Sequence, residues 1–147
     1  MGKTKVVQKV LNASVVVNKE EVGKINSGLL IFVGFTHNDD ISNIKYIVNK
    51  IVNLRVFEDS NNVMNLSALE LNKELLVVSQ FTLYADTSKG NRPSYINSLK
   101  HEEANVLYDL FVEELKKSNL KVETGIFRSD MKVSLINDGP TTIIIEK

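Results

Sequence analysis

Residues 29–33 read Leu-Leu-Ile-Phe-Val between Gly28 and Gly34, an unbroken apolar run of strand length. A strand with one face in water alternates apolar and polar residues, so an unbroken run requires cover on both faces and belongs at the centre of a sheet. The run falls far short of the roughly 20 apolar residues of a membrane span, and no membrane partner is expected. With 147 residues, 43% of them apolar and 24% charged, the chain has the size and composition of one folded domain over residues 1–147.

The remaining elements follow from periodicity and punctuation. Residues 6–10 and 13–17 are β-branched runs parted by Leu11-Asn12, and Gly23 and Gly28 come next, which predicts a hairpin-rich start. Asp39 and Asp40 stand at an N-cap position ahead of Ile41, Ile44, Ile47, Val48, Ile51 and Val52, whose three- and four-residue steps predict an amphipathic helix. A short strand is expected over 54–57, followed by a polar turn over 58–62. Residues 75–84 predict one long strand that ends at the polar loop 85–93. Ala104, Leu107, Tyr108, Phe111 and Leu115 form one stripe of a helix over 102–117, with acids early and lysines late as the helix dipole favours. Residues 131–136 and 141–145 predict two strands joined by a turn at Asn137-Asp138-Gly139-Pro140. Two helices among seven or eight strands make an α+β domain with mixed or antiparallel sheet.

Several chemistries are removed by composition. The chain has no cysteine, which excludes disulfides, a thiolate nucleophile and cysteine-ligated zinc, and which fits a reducing compartment. Its only histidines, His37 and His101, read as solvated surface residues, and no metal-ligating spacing occurs, so neither a Ser-His-Asp triad nor a metal is expected. The seven glycines are dispersed and build no phosphate loop, so no cofactor is expected either. Eighteen basic residues balance eighteen acidic ones, so a nucleic-acid partner would need a local patch. Lys89-Gly90-Asn91-Arg92, with Lys100 and His101 further on, is the best such cluster. At the amino terminus Met1-Gly2 formally invites myristoylation, but Val6 stands where Ser or Thr is required, and no leader segment is expected.

Two features remain. Ser79, Gln80 and Thr82 interrupt the apolar run 75–84; by strand alternation Gln80 and Thr82 share a face with Val78 and Tyr84, and Ser79 and Phe81 share the other. This pattern fits a strand whose polar face meets water, and equally a site. Gly139-Pro140 fits a plain turn, and equally a rigid backbone shape with fixed carbonyl acceptors, because X-Pro is the bond type in which cis is accessible.

Taken together, Ser79-Gln80-Phe81-Thr82-Leu83-Tyr84, Lys89-Gly90-Asn91-Arg92-Pro93, Thr124-Gly125-Ile126-Phe127, Asp130-Met131 and Asn137-Asp138-Gly139-Pro140-Thr141-Thr142 resemble, in order and spacing, the signature segments of the D-aminoacyl-tRNA deacylase family. The likeness extends to residues 10–15, 28–30, 33–34, 54–57 and 64–67. It implies a barrel-like β/β/α layered domain with two main helices and a cytoplasmic homodimer whose active site lies at the subunit interface. The implied substrate is a D-aminoacyl-tRNA, with glycyl-tRNA mischarged on an alanine tRNA as a second. Gly139 and Pro140, joined by a cis bond, would exclude L-residues, with the Ser79–Thr82 segment facing both the Gly-Pro pair of its own subunit and the one inserted from its partner. Gln80 and the backbone of Phe81 and Thr82 would hold the ester, Thr82 would support the site, and Ser79 would brace the strand. Phe127 and Met131 would shape an adenosine pocket, Lys89 and Arg92 would touch the tRNA, and Lys9 would support the Gly-Pro loop.

The likeness also explains how the chain manages without a base, since an aminoacyl ester beside a ribose hydroxyl needs only orientation and polarisation. Three places depart from the family pattern: Lys9 replaces an Arg, Arg128-Ser129 a small Gly-Ala pair, and Asn62-Val63 a Gly-Lys. A non-catalytic tRNA-binding module and a deacylase of relaxed chirality remain the alternatives.

Overall fold

A computed structural model describes residues 4–147. The expectation of no leader or acylation site rests in part on residues 1–3, which lie outside the described residues. In chain order the elements are β1 (Lys5–Val17), β2 (Glu20–Ile25), β3 (Gly28–Val33), α1 (Ile41–Asn53), β4 (Phe57–Glu58), β5 (Met64–Leu66), α2 (Ala68–Leu71), β6 (Glu74–Ser79), a 3₁₀ turn (Phe81–Tyr84), α3 (His101–Lys116), β7 (Val122–Thr124) and β8 (Lys132–Ile145). Among the described residues no helix is long and apolar enough to cross a membrane.

β1 organises the main sheet. β8 runs antiparallel to it along one edge; along the other, β3 pairs its first half and β2 its second. β6 and β7 then add in parallel to β3, giving the order β2-β1-β3-β6-β7 with β8 against β1. The two ends of that path come together, since the Lys24 N–H donates to the Glu123 carboxylate at 3.3 Å and a Cβ on Gly23 would stand 2.6 Å from the Thr124 carbonyl oxygen. The twisted sheet therefore wraps almost into a barrel, as the α+β, barrel-like expectation requires.

Cover on both faces is what makes residues 29–33 continuously apolar. Leu29, Ile31, Val33, Leu75 and Val77 face a core shared with Ile44, Ile47 and Ile51 of α1 and Phe111 and Leu115 of α3. Leu30, Leu76 and Val78 point the other way, into the barrel with Val10, Val15 and Ile25. α1 starts where the sequence places it: the Asp40 carboxylate accepts from the Asn43 N–H at 3.0 Å, and the Asn43 side chain accepts from the Asp40 N–H. Such a reciprocal cap contributes about 1 kcal/mol.

Four expectations are corrected. The two runs over 6–17 form one strand, because β8 pairs both halves and Leu11 is absorbed where the register shifts between Val10 and Asn12. In the 54–57 segment only Phe57 enters a strand, pairing with Leu66, while the Leu54 N–H closes α1 by donating to the Ile51 carbonyl. The long strand over 75–84 stops at Ser79. Its partner β3 ends at Val33, opposite Ser79, and the last ladder bond runs from the Gln80 N–H to the Val33 carbonyl at 2.8 Å. With no neighbour left to pair, the chain satisfies itself locally as a 3₁₀ turn, the Leu83 N–H donating to the Gln80 carbonyl at 3.2 Å. The alternation argument for Gln80, Phe81 and Thr82 fails with it.

The fourth correction concerns the Gly-Pro segment. The expected strands over 131–136 and 141–145 are not two arms of a hairpin: from Lys132 onward both are parts of the single strand β8, paired to β1 in the same direction. Gln8 pairs Thr142 and Val10 pairs Asn137, so residues 138–141 stand opposite Lys9 alone and bulge out of the ladder. A local turn motif carries no information about whether the chain reverses, which long-range pairing decides.

Candidate active site

The parallel strands β3, β6 and β7 end on one edge of the sheet. Beyond their carboxyl ends, the segments that follow each of them and the start of α3 enclose a cavity of about 440 Å³. Such positions favour ligand sites, because strand pairing holds several chain segments close together just where their own ladders stop. Gly34 and Phe35 enter from β3, Gln80, Phe81 and Thr82 from β6, Phe127 to Met131 from β7, and His101 and Ala104 from α3.

The polar floor is the turn after Ser79. The Gln80 side-chain amide donates to the Thr82 hydroxyl at 2.6 Å. The backbone N–H groups of Phe81 and Thr82 open the 3₁₀ turn, and neither takes a backbone carbonyl partner among the described residues. Gly34 is required beside this floor: a Cβ there would come within 3.0 Å of both the Gln80 carbonyl oxygen and the Tyr84 ring. The buried Lys5 fixes the same corner, its Nζ donating to the Gly34 carbonyl at 2.6 Å and lying 4.7 Å from the Phe35 ring centroid.

One wall is aromatic. Phe81 meets Tyr95 edge-on at 5.0 Å and His101 at 6.0 Å, and His101 meets Phe127 at 6.5 Å. Behind Phe127 stands Tyr108 at 5.6 Å, whose hydroxyl donates to the Val77 carbonyl at 3.1 Å. Burial pushes the Tyr108 phenol well above its ordinary pKa, so it stays a neutral donor. Met131 also lines the cavity, its sulfur lying 2.5 Å from where a Cβ on Gly125 would stand.

The structure thus gathers Ser79, Gln80, Phe81, Thr82, Phe127 and Met131 around one cavity, with Ser79 lining it rather than standing behind the strand. Gly139 and Pro140 do not line the cavity of their own chain. Their peptide bond is cis, and both are exposed on the β8 bulge. The Lys9 side chain, 5% exposed, reaches that bulge with Nζ 3.9 Å from the Asp138 carboxylate. Lys89 and Arg92 lie outside the cavity, exposed on a loop that the Asp86–Ser94 backbone pair closes.

Sequence reasoning missed three contributors. His101, read as plain surface, is exposed yet forms part of the aromatic wall. Lys5 carried no assigned role, and Gly34 appeared only as the end of the apolar run and within the family likeness. No periodicity flags them, because each acts on a segment distant in sequence.

Comparison with known proteins agrees with the geometry. Residues 6–146 match the family described as D-Tyr-tRNA(Tyr) deacylase. A D-aminoacyl-tRNA deacylase from Flavobacterium psychrophilum is 56% identical over 142 residues, covering 96% of this chain and 95% of that protein. One from Halothermothrix orenii is 53% identical over 141 residues, with the same coverage of 96% and 95%. Among solved structures, the c-Myc DNA unwinding element binding protein superposes with a TM-score of 0.92 at 37% identity, covering 98% of each chain. A probable eukaryotic D-amino acid tRNA deacylase shares the fold at a TM-score of 0.87 and 15% identity, covering 100% of each chain. With about half of its residues identical to those relatives and nearly its whole length matched, this chain belongs to the D-Tyr-tRNA(Tyr) deacylase family.

Proposed function

We propose that this chain hydrolyses the ester bond between a D-aminoacyl group and the terminal ribose of a tRNA, releasing the free D-amino acid and the tRNA. The observation that carries the reading is the cavity floor. It offers a Thr82 hydroxyl already hydrogen-bonded by Gln80 and two unpaired backbone N–H groups, with no imidazole or carboxylate on the Thr82 hydroxyl among the described residues. Such a floor polarises a carbonyl and stabilises the oxyanion formed on it.

Water attacks the ester carbonyl carbon, the bond to the ribose oxygen breaks, and that oxygen leaves with a proton relayed by the neighbouring ribose hydroxyl. The Phe81 and Thr82 N–H groups hold the carbonyl oxygen, Thr82 supports it with its hydroxyl, and Phe127 and Met131 receive the terminal adenosine. Orientation supplies most of the acceleration, since the ester is intrinsically reactive.

Gly139 and Pro140 act as the chiral selectors, entering the cavity from a second copy of the chain in a cytoplasmic homodimer. Their exposure, and their absence from the cavity of their own chain, support that arrangement. They leave room for hydrogen where an L-residue carries its side chain, so D-aminoacyl esters and the achiral glycyl ester on an alanine tRNA are cleaved while L-esters survive. Lys9 steadies the bulge, and Lys89 and Arg92 approach the tRNA. The test is release of D-tyrosine from D-tyrosyl-tRNA by purified protein, with L-tyrosyl-tRNA beside it. Rates on the D-ester no greater than in buffer would sink the reading.

A further inference from the structure

Ile126 to Ser129 form a four-residue turn closed by the Ser129 N–H donating to the Ile126 carbonyl at 3.2 Å. Its third residue, Arg128, sits at φ +62°. That place favours glycine or asparagine, since a long side chain there crowds its own backbone. Among the described residues the other non-glycine residues with positive φ are five asparagines and Lys19, which lies in the two-residue link between β1 and β2 where positive φ is the rule. Arg128 is thus a cation held at an unfavourable backbone position, and the turn places it beside Phe127 on the rim of the cavity.

Its charge is uncompensated. Of the cavity-lining residues Asp130 carries the one carboxylate, and it pairs with Lys132 at 2.9 Å. Among the described residues no hydrogen bond or ion pair engages the Arg128 guanidinium. An exposed, unpaired planar cation next to an aromatic wall suits a polynucleotide, in which a base occupies the apolar slot and the adjoining phosphodiester meets the cation.

We propose that Arg128 reads a backbone phosphate of the RNA whose terminal nucleoside enters the cavity, fixing the register of the 3′ end against the Gln80–Thr82 floor. This rests on the deacylase reading for the identity of the RNA but not for the contact itself.

The test is binding of a fluorescent RNA tetranucleotide with a 3′-terminal adenosine to the full chain and to Arg128→Gly and Arg128→Lys, across salt concentrations. Glycine accepts positive φ, so Arg128→Gly keeps the fold, which its melting temperature checks. Arg128→Gly is expected to weaken binding roughly tenfold at low salt and to reduce the slope of log Kd against log salt by about 0.7, the loss of one single-strand phosphate contact. Arg128→Lys is expected to retain the slope and bind with intermediate affinity, because a point charge replaces the guanidinium fork. An unchanged affinity and slope in Arg128→Gly, or no RNA binding by the unsubstituted chain, would overturn the proposal. Arg128-dependent RNA binding without ester hydrolysis leaves it standing and removes the deacylase reading; hydrolysis without such binding does the reverse.

Discussion

The Gln80 side-chain amide donates to the Thr82 hydroxyl across 2.6 Å, within three residues of Ser79, where β6 loses its partner. One lone pair of the hydroxyl is thereby engaged, and its proton stays available to an oxygen in the cavity. This geometry suits a hydrogen-bond donor better than a nucleophile. Thr82→Ala is expected to fold and to lose roughly 100- to 1,000-fold in kcat on D-tyrosyl-tRNA, as for removal of one oxyanion donor. Thr82→Ser should stay near the unsubstituted rate. Single-turnover kinetics decide: a fall of about a millionfold, the scale of deleting a nucleophile, would assign the attack to Thr82 itself.

Lys9 stands opposite the Gly-Pro bulge, with its Nζ 3.9 Å from Asp138, whose side chain is 45% exposed. A long pair with one exposed partner is screened, so Lys9→Met is expected to lower stability by only about 1 kcal/mol. Its larger effect should fall on fidelity, as a looser bulge lets L-esters in. The ratio of D- to L-tyrosyl-tRNA hydrolysis should drop several-fold, and an unchanged ratio would remove Lys9 from the support of the selector.

Gly28 pairs with Glu74 where β3 meets β6, and a Cβ there would lie 1.8 Å from the Glu74 carbonyl oxygen. Neither backbone can withdraw without opening the parallel ladder that leads to the cavity. Gly28→Ala is expected to destabilise the chain by about 3 kcal/mol, read from the urea midpoint. A loss below about 1 kcal/mol would show that the two strands can separate at their start without harm.

Burial raises the Tyr84 phenol from 10 to about 12 and pushes Tyr108 up as well. Between those pH values the folded chain keeps phenol protons that the unfolded chain releases, so unfolding is favoured as pH rises. Stability should therefore be fully present below about 10 and fall as pH approaches 12. Tyr84→Phe should flatten that fall, seen by urea titration at a series of alkaline pH values. An identical slope in the variant would show that Tyr84 does not titrate in this window.

The elements read most accurately from sequence are those whose causes are local. The Asp40 cap and the spacing of Ile44, Ile47 and Ile51 define α1 within one segment, and α3 follows from the stripe of Tyr108, Phe111 and Leu115 in the same way. The strand over 29–33 was legible as central because its composition already implies two covered faces. The site residues were legible as a set only through the family likeness, since Gln80 and Thr82 alone suit a wetted strand face and Gly139-Pro140 a plain turn.

By itself, then, the sequence determined the two long helices, the doubly covered central strand, the absence of cysteine chemistry and the family. Tertiary structure decided where β6 stops, that residues 138–141 bulge from a continuous strand, and that His101 and Gly34 line the cavity, with Lys5 holding the Gly34 carbonyl. The physical reason is common to all three: a strand ends where its neighbour ends, a bulge is defined by the residue opposite it, and a cavity is made by segments that meet only after the sheet has closed. The Ser79 to Thr82 segment shows the division most plainly. Its residue types were readable in advance, but the turn that aims them into one space exists because Val33 was the last partner β6 had.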